Sequence, residues 1–120
     1  MKYLCLVHFE GNALAALTPD ESRRLDARSL AYDEELQAAG HFIHAQALQS
    51  SDAAVLVKVR DAKTILTDGP FTETKEQLGG FILVEARDLN EAIRLAAGIP
   101  LAELGTIEVR PIYDIPDPRE

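Results

Sequence analysis

A chain of 120 residues, 47% of them hydrophobic, is long enough to bury a core of its own and too short for a second ordinary domain, so residues 1–120 are expected to form one. Twenty acidic against twelve basic side chains leave a formal net charge of -8. That field repels phosphate backbones and anionic membranes, and no lysine-arginine cluster offers a local exception, so neither nucleic acid nor a membrane is an expected partner.

Lys2 to Phe9 reads as a strand with Tyr3, Cys5, Val7 and Phe9 on one face and Leu4, Leu6 and His8 on the other. Both faces are apolar, which predicts cover on both sides. A lysine followed by an apolar run is also how a signal peptide begins. This run is short, however, stops at His8 and Glu10, and has no small-residue cleavage site after it. Cys5, the single cysteine, excludes an intrachain disulfide and points to a reducing cytoplasm; inside an apolar strand it reads as inert packing.

Thr18-Pro19-Asp20-Glu21 predicts a helix start, with Thr18 as the cap, Pro19 in the first turn and Glu21 closing a capping box. The helix should run to about Ala39, with Leu25, Ser29, Tyr32, Leu36 and Ala39 as its buried stripe and Gly40 as its stop. A weakly patterned strand follows from His41 to Leu48. Ala53 to Val59 and Thr64 to Thr67 then read as a hairpin, with Val55, Val57 and Val59 on one face. Phe81 to Val84 is apolar on both faces. Asp88 caps a second helix whose inward face is Leu89, Ala92, Ile93, Ala96 and Ala97, and Thr106 to Tyr113 is the last strand, with Ile107 and Val109 opposed to Glu108 and Arg110. The tail from Asp114 to Glu120 is expected to fray or to lie across a partner.

This order is α+β: a ferredoxin-like split βαβ sheet with a β-hairpin inserted at its middle. Both helices would cover one sheet face. The other would expose apolar strands, which predicts a homodimer with its sheets packed face to face.

Between the hairpin and the next strand lies Thr67-Asp68-Gly69-Pro70-Phe71-Thr72-Glu73-Thr74-Lys75-Glu76-Gln77-Leu78-Gly79-Gly80-Phe81. It gathers turn residues, carboxylates and a lysine between two strands, the setting in which binding loops are usual. With the Met1-Lys2-Tyr3-Leu4 opening, the Thr18-Pro19 helix start, Glu35-Leu36 to Gly40, and Gly105-Thr106-Ile107-Glu108-Val109-Arg110-Pro111, it closely resembles the DGPF subgroup of the YCII-related family. The resemblance implies a dimeric α+β barrel, in a fold superfamily that includes lactone isomerases and small monooxygenases; it implies no particular reaction. It also implies a His-Asp active centre, in which Asp68 is the aspartate of the motif and His8 the nearest histidine to partner it.

Asp68 is either a general base at a pocket mouth or a turn-capping carboxylate. His8 is either its acid-base partner or a hydrogen-bonded core histidine. Glu73, Lys75, Arg110 and Phe71 are the candidate substrate contacts, with ordinary ion pairs the competing reading for the charged three. His41 and His44, three apart on a strand, point to opposite faces, and neither a metal nor a cofactor motif is present. The expected function is binding of a small molecule at the Asp68-Gly69-Pro70-Phe71 loop, with cofactor-independent isomerase or lyase chemistry open to Asp68 and His8. The alternative is a non-catalytic dimeric ligand-binding or regulatory module acting through a protein partner. In a third, purely structural reading the loop serves dimer packing alone.

Overall fold

A computed structural model of the chain describes residues 1–69 and 75–119. Strand β1 (Lys2–Phe9) leads through a short helix α1 (Gly11–Ala15) to the long helix α2 (Pro19–Ala38) and strand β2 (Phe42–Ala47). Strands β3 (Val55–Arg60) and β4 (Lys63–Asp68) make the hairpin, and β5 (Gln77–Glu85), α3 (Leu89–Ala97) and β6 (Thr106–Pro111) complete the order. The four main strands pair antiparallel as β2-β5-β1-β6, while β3 and β4 form a separate two-stranded sheet. This is the expected α+β, ferredoxin-like arrangement; α1 was not anticipated. Among the described residues, no helix is long and apolar enough to cross a membrane.

Both long helices start where their caps predict. The Glu21 amide donates to Thr18 Oγ1 at 3.1 Å, and the Thr18 amide donates to Glu21 Oε1 at 3.0 Å. The Glu91 amide donates to Asp88 Oδ1 at 2.9 Å. Each bond satisfies a first-turn donor that has no partner inside its helix. The helices then cover one sheet face. Tyr3, Cys5 and Val7 of β1 and Ile82 and Val84 of β5 meet Leu36 of α2, Ala92 and Ala96 of α3, and Ile99.

The buried stripe of α3 is narrower than the sequence suggests. Ala92 and Ala96 are buried, but Leu89 and Ile93, expected to face inward, are about half exposed. Small residues let the helix approach the sheet closely, which leaves the larger neighbours at the margin of the contact. Tyr32 locks α2 to α3 by donating its hydroxyl proton to the Leu95 carbonyl at 2.6 Å.

The register of β1 against β5 breaks between Val7 and His8: Val7 faces Gly80 and His8 faces Leu78, so Gly79 is an extra residue on β5. The ring of Phe9 occupies the space that a Cβ at Gly79 would need, and a Cβ at Gly80 would come within 2.9 Å of the Gln46 carbonyl oxygen. A glycine pair meets both close approaches.

The β3–β4 hairpin joins no strand of the main sheet. Its two-residue turn has positive φ at both Asp61 (51°) and Ala62 (61°), the handedness that suits the twist of paired strands. At its root the Gly69 amide donates to the Ala54 carbonyl at 2.8 Å. The chain has a radius of gyration of 16.8 Å, against about 14 Å for a compact chain of this length. The hairpin is an arm, not a layer of the core.

Candidate functional site

Strand alternation puts Leu4, Leu6 and His8 of β1 on the face opposite the helices. Their ladder partners extend that face: Leu83 stands opposite Leu4 and Phe81 opposite Leu6 on β5, while Arg110, Glu108 and Thr106 stand opposite Leu4, Leu6 and His8 on β6. On β2, His44 stands opposite Leu83 and its ring lies 6.0 Å from that of Phe81. The centre of the face is aliphatic and aromatic. One edge is charged.

At that edge His8 Nε2 lies 3.0 Å from Glu108 Oε1, and Arg110 Nε lies 3.7 Å from Glu108 Oε2. An ionised carboxylate can only accept, so Nε2 carries the proton in this bond and Nδ1 is left as the basic nitrogen. Glu108 thus orients the imidazole, and Arg110 adds a cation that can hold an anionic group. His8 is half-buried while Glu108 and Arg110 face solvent. The arrangement can move a proton and bind a carboxylate.

The far end of the signature loop returns to this edge. Lys75 Nζ lies 3.4 Å from Glu10 Oε1, just past the end of β1. The Thr106 hydroxyl donates to Glu76 Oε1 at 3.1 Å, and Thr106 is the direct ladder partner of His8. Asp68 is elsewhere: it ends β4, opposite Val55, and is exposed. Among the described residues its side chain makes no hydrogen bond or ion pair, and none joins it to His8. The expected Asp68–His8 pair is therefore not formed, because Asp68 belongs to the arm's own sheet while His8 turns to Glu108 on the neighbouring strand. Glu73 and Phe71 lie outside the described residues.

The helix face carries a cleft of about 440 Å³ between α2 and the lower half of the sheet. Leu30, Asp26 and Asp33 of α2 form one wall, and Val7, Ala45 and Ile82 form the floor. Burial raises the Asp33 carboxyl above the ordinary aspartate range. Neither Asp68 nor Lys75 lines this cleft, and neither does any residue of the arm.

Reasoning from the sequence put Glu108 and Arg110 on one strand face but gave Glu108 no role at His8. The signal was available only through strand order: a split βαβ sheet sets its first and last strands side by side, which brings residue 108 within reach of residue 8. The cleft had no local signal. Cys5 is fully buried, and desolvation pushes its thiol up to about 11, which suits packing and not nucleophilic attack.

A YCII-related domain matches residues 1–116 of the chain. An uncharacterised protein of Rhizobium meliloti (strain 1021) is 32% identical over 114 residues, a stretch that covers 93% of this chain and 92% of the relative.

Proposed function

The chain belongs to the YCII-related family, and on that premise we propose that it is a homodimeric small-molecule-binding protein of the DGPF subgroup, with a cofactor-independent proton-transfer site on the open sheet face. The observation that carries this reading is the His8–Glu108 contact of 3.0 Å beside Arg110. His8 is the acid-base group, Glu108 holds its tautomer, and Arg110 and Lys75 attract an anionic substrate over the apolar floor of Leu4, Leu6 and Phe81. Isomerisation or elimination next to a carboxylate is the chemistry these groups support without a cofactor. A second copy laid over the open face excludes water from the site. Asp68, at the root of the arm, has an orienting role at most. A reducing cytoplasm is the compartment in which such a protein would work.

Because Glu108 and Arg110 face solvent in the single chain, the same site also suits ligand binding without turnover, as in a regulatory module with a protein partner. One experiment separates the two readings: a thermal-shift screen of small carboxylates on the wild type, His8→Gln, Arg110→Ala and Asp68→Asn, followed by product analysis of any hit. At 100 times its Kd a ligand adds about 2.7 kcal/mol, which is several degrees for a chain of this size. The catalytic reading expects a hit that is converted by the wild type, bound but not converted by His8→Gln, and lost in Arg110→Ala. Binding by the wild type without conversion favours the module. A ligand that stabilises all four proteins equally places binding off this face and ends both readings.

A further inference from the structure

We propose that the cleft between α2 and the sheet is a separate small-molecule site, one that takes an amphipathic amine with its apolar body on the floor and its ammonium group at Asp33. The cleft's volume of about 440 Å³ lies within the range of small-ligand sites. It exists because both of its walls are under-filled. On the sheet, the row beneath the helix runs Ala47, Gly80, Val7 across three strands, and Ala45 stands beside Ile82 in the next row. Two alanines and a glycine leave the strands bare there. On α2 the residue that lines this gap is Ser29, although its neighbours in the inward stripe are Leu25, Tyr32 and Leu36. Protein interiors pack close to crystal density and an unfilled volume is destabilising, so a leucine at 29 would be the stabilising choice. Serine keeps the cleft open.

The charge of the ligand follows from the lining. Asp26 and Asp33 are its charged side chains, and among the described residues no lysine, arginine or histidine joins them there. Neither carboxylate makes a hydrogen bond or ion pair among the described residues. Asp33 is half-buried beside the apolar floor, and that burial already holds its carboxyl above the ordinary aspartate range. An ammonium group beside it offsets the desolvation and supplies the missing donor, through a charge-assisted bond that is stronger than a neutral one. An anionic ligand meets two acids instead. Asp26, two turns earlier and about 10 Å along the helix, is exposed at the mouth, where it attracts a cation without holding it. Leu30 lies between the two and is 65% exposed, free to fold over an apolar body.

The cleft is on the helix side of the sheet, so a second copy laid over the open face leaves it clear, and neither His8 nor Arg110 lines it. The test is titration of the 15N-labelled full chain with hexylamine, hexanol and hexanoate, read amide by amide by NMR. Hexylamine should shift Leu30, Ala45, Ala47 and Gly80 saturably, with a Kd on the order of 1 mM. Hexanol should shift the same amides with a Kd at least about tenfold higher, because it lacks the charge-assisted bond, and hexanoate should leave them unmoved. No saturable hexylamine binding, shifts confined to other residues, or hexanoate acting on these amides as strongly as hexylamine would each overturn the proposal.

Two variants locate the contacts. Asp33→Asn should weaken hexylamine at least about tenfold and leave hexanol unchanged. Ser29→Leu should abolish the binding of both and raise the melting point by about a few degrees, since the leucine fills the volume that the ligand would occupy. Hexylamine bound equally by the wild type and both variants would mean attraction to the acidic surface at large, and the proposal fails. It fails also if hexylamine does not bind and Ser29→Leu weakens self-association in sedimentation, which would make the cleft a protein contact. Arg110→Ala should bind hexylamine like the wild type, so the loss of either site leaves the other standing.

Discussion

Cys5 offers a direct test of how completely the helices seal the sheet. It sits at the centre of β1 with no exposed surface, and burial lifts its thiol from 9.0 to about 11. In the unfolded chain the thiol ionises first. The folded state therefore keeps its full stability below pH 9 and loses it progressively as pH rises towards 11, because only the unfolded chain gains from releasing the proton. A difference of about two units corresponds to roughly 2.7 kcal/mol, a large share of the 5–15 kcal/mol that holds a typical domain together. Urea titrations of the wild type and Cys5→Ala across this range isolate the effect. Burial raises Tyr32 in the same direction, with the Glu35 and Cys5 charges adding to it, so the alanine variant must itself weaken with pH. The wild type should weaken more, and the gap between the two proteins should change by about 2–3 kcal/mol between neutral pH and pH 11. Parallel curves would refute a sealed Cys5, as would labelling of the native thiol by a disulfide reagent faster than global unfolding allows.

Ala62→Gly relieves a left-handed φ of 61° at the arm's turn. It should slow hydrogen exchange of the β3–β4 amides by an amount equivalent to about 0.5–1 kcal/mol, with no change in the main sheet. Tyr32→Phe removes the 2.6 Å bond that ties α2 to the Leu95 carbonyl. Loss of about 1 kcal/mol and a melting point lower by a few degrees are expected, by calorimetry, with near-normal binding of any carboxylate found on the open face.

What could be read from the chain was what short-range physics dictates. The capping box at Thr18 and the side-chain cap at Asp88 are each complete within four residues, and both formed. Alternation placed Tyr3, Cys5 and Val7 together, and they are buried together. Glu108 and Arg110 were read on one face, and they share it. The His8–Glu108 contact was not readable, because it joins residues 100 apart and depends on β1 and β6 being neighbours. The Asp68–His8 pairing failed for the related reason that β4 leaves the main sheet, which no residue between Lys63 and Asp68 announces. Leu89 and Ile93 were read as inward on periodicity alone, when the depth of the α3 contact was set by the alanines beside them.

The valines of β3 make the same point from the other side. Their alternation predicts a strand with one apolar face, yet alternation says nothing about what covers it. On the main sheet, Leu4, Leu6, Phe81 and Leu83 are only half-buried but crowd one another, so each already shields its neighbour from water. On the arm, Val57, Val59 and Leu66 stand on two strands and are 62%, 60% and 65% exposed. Burial of one such side chain contributes about 1.5–3 kcal/mol when complete, so covering these arm residues would gain more per side chain than covering the half-buried ones of the open face. Changes at Val57 or Leu66 should leave the His8–Glu108 contact untouched, and changes at His8 should leave the arm untouched, because no ladder bond joins the two sheets.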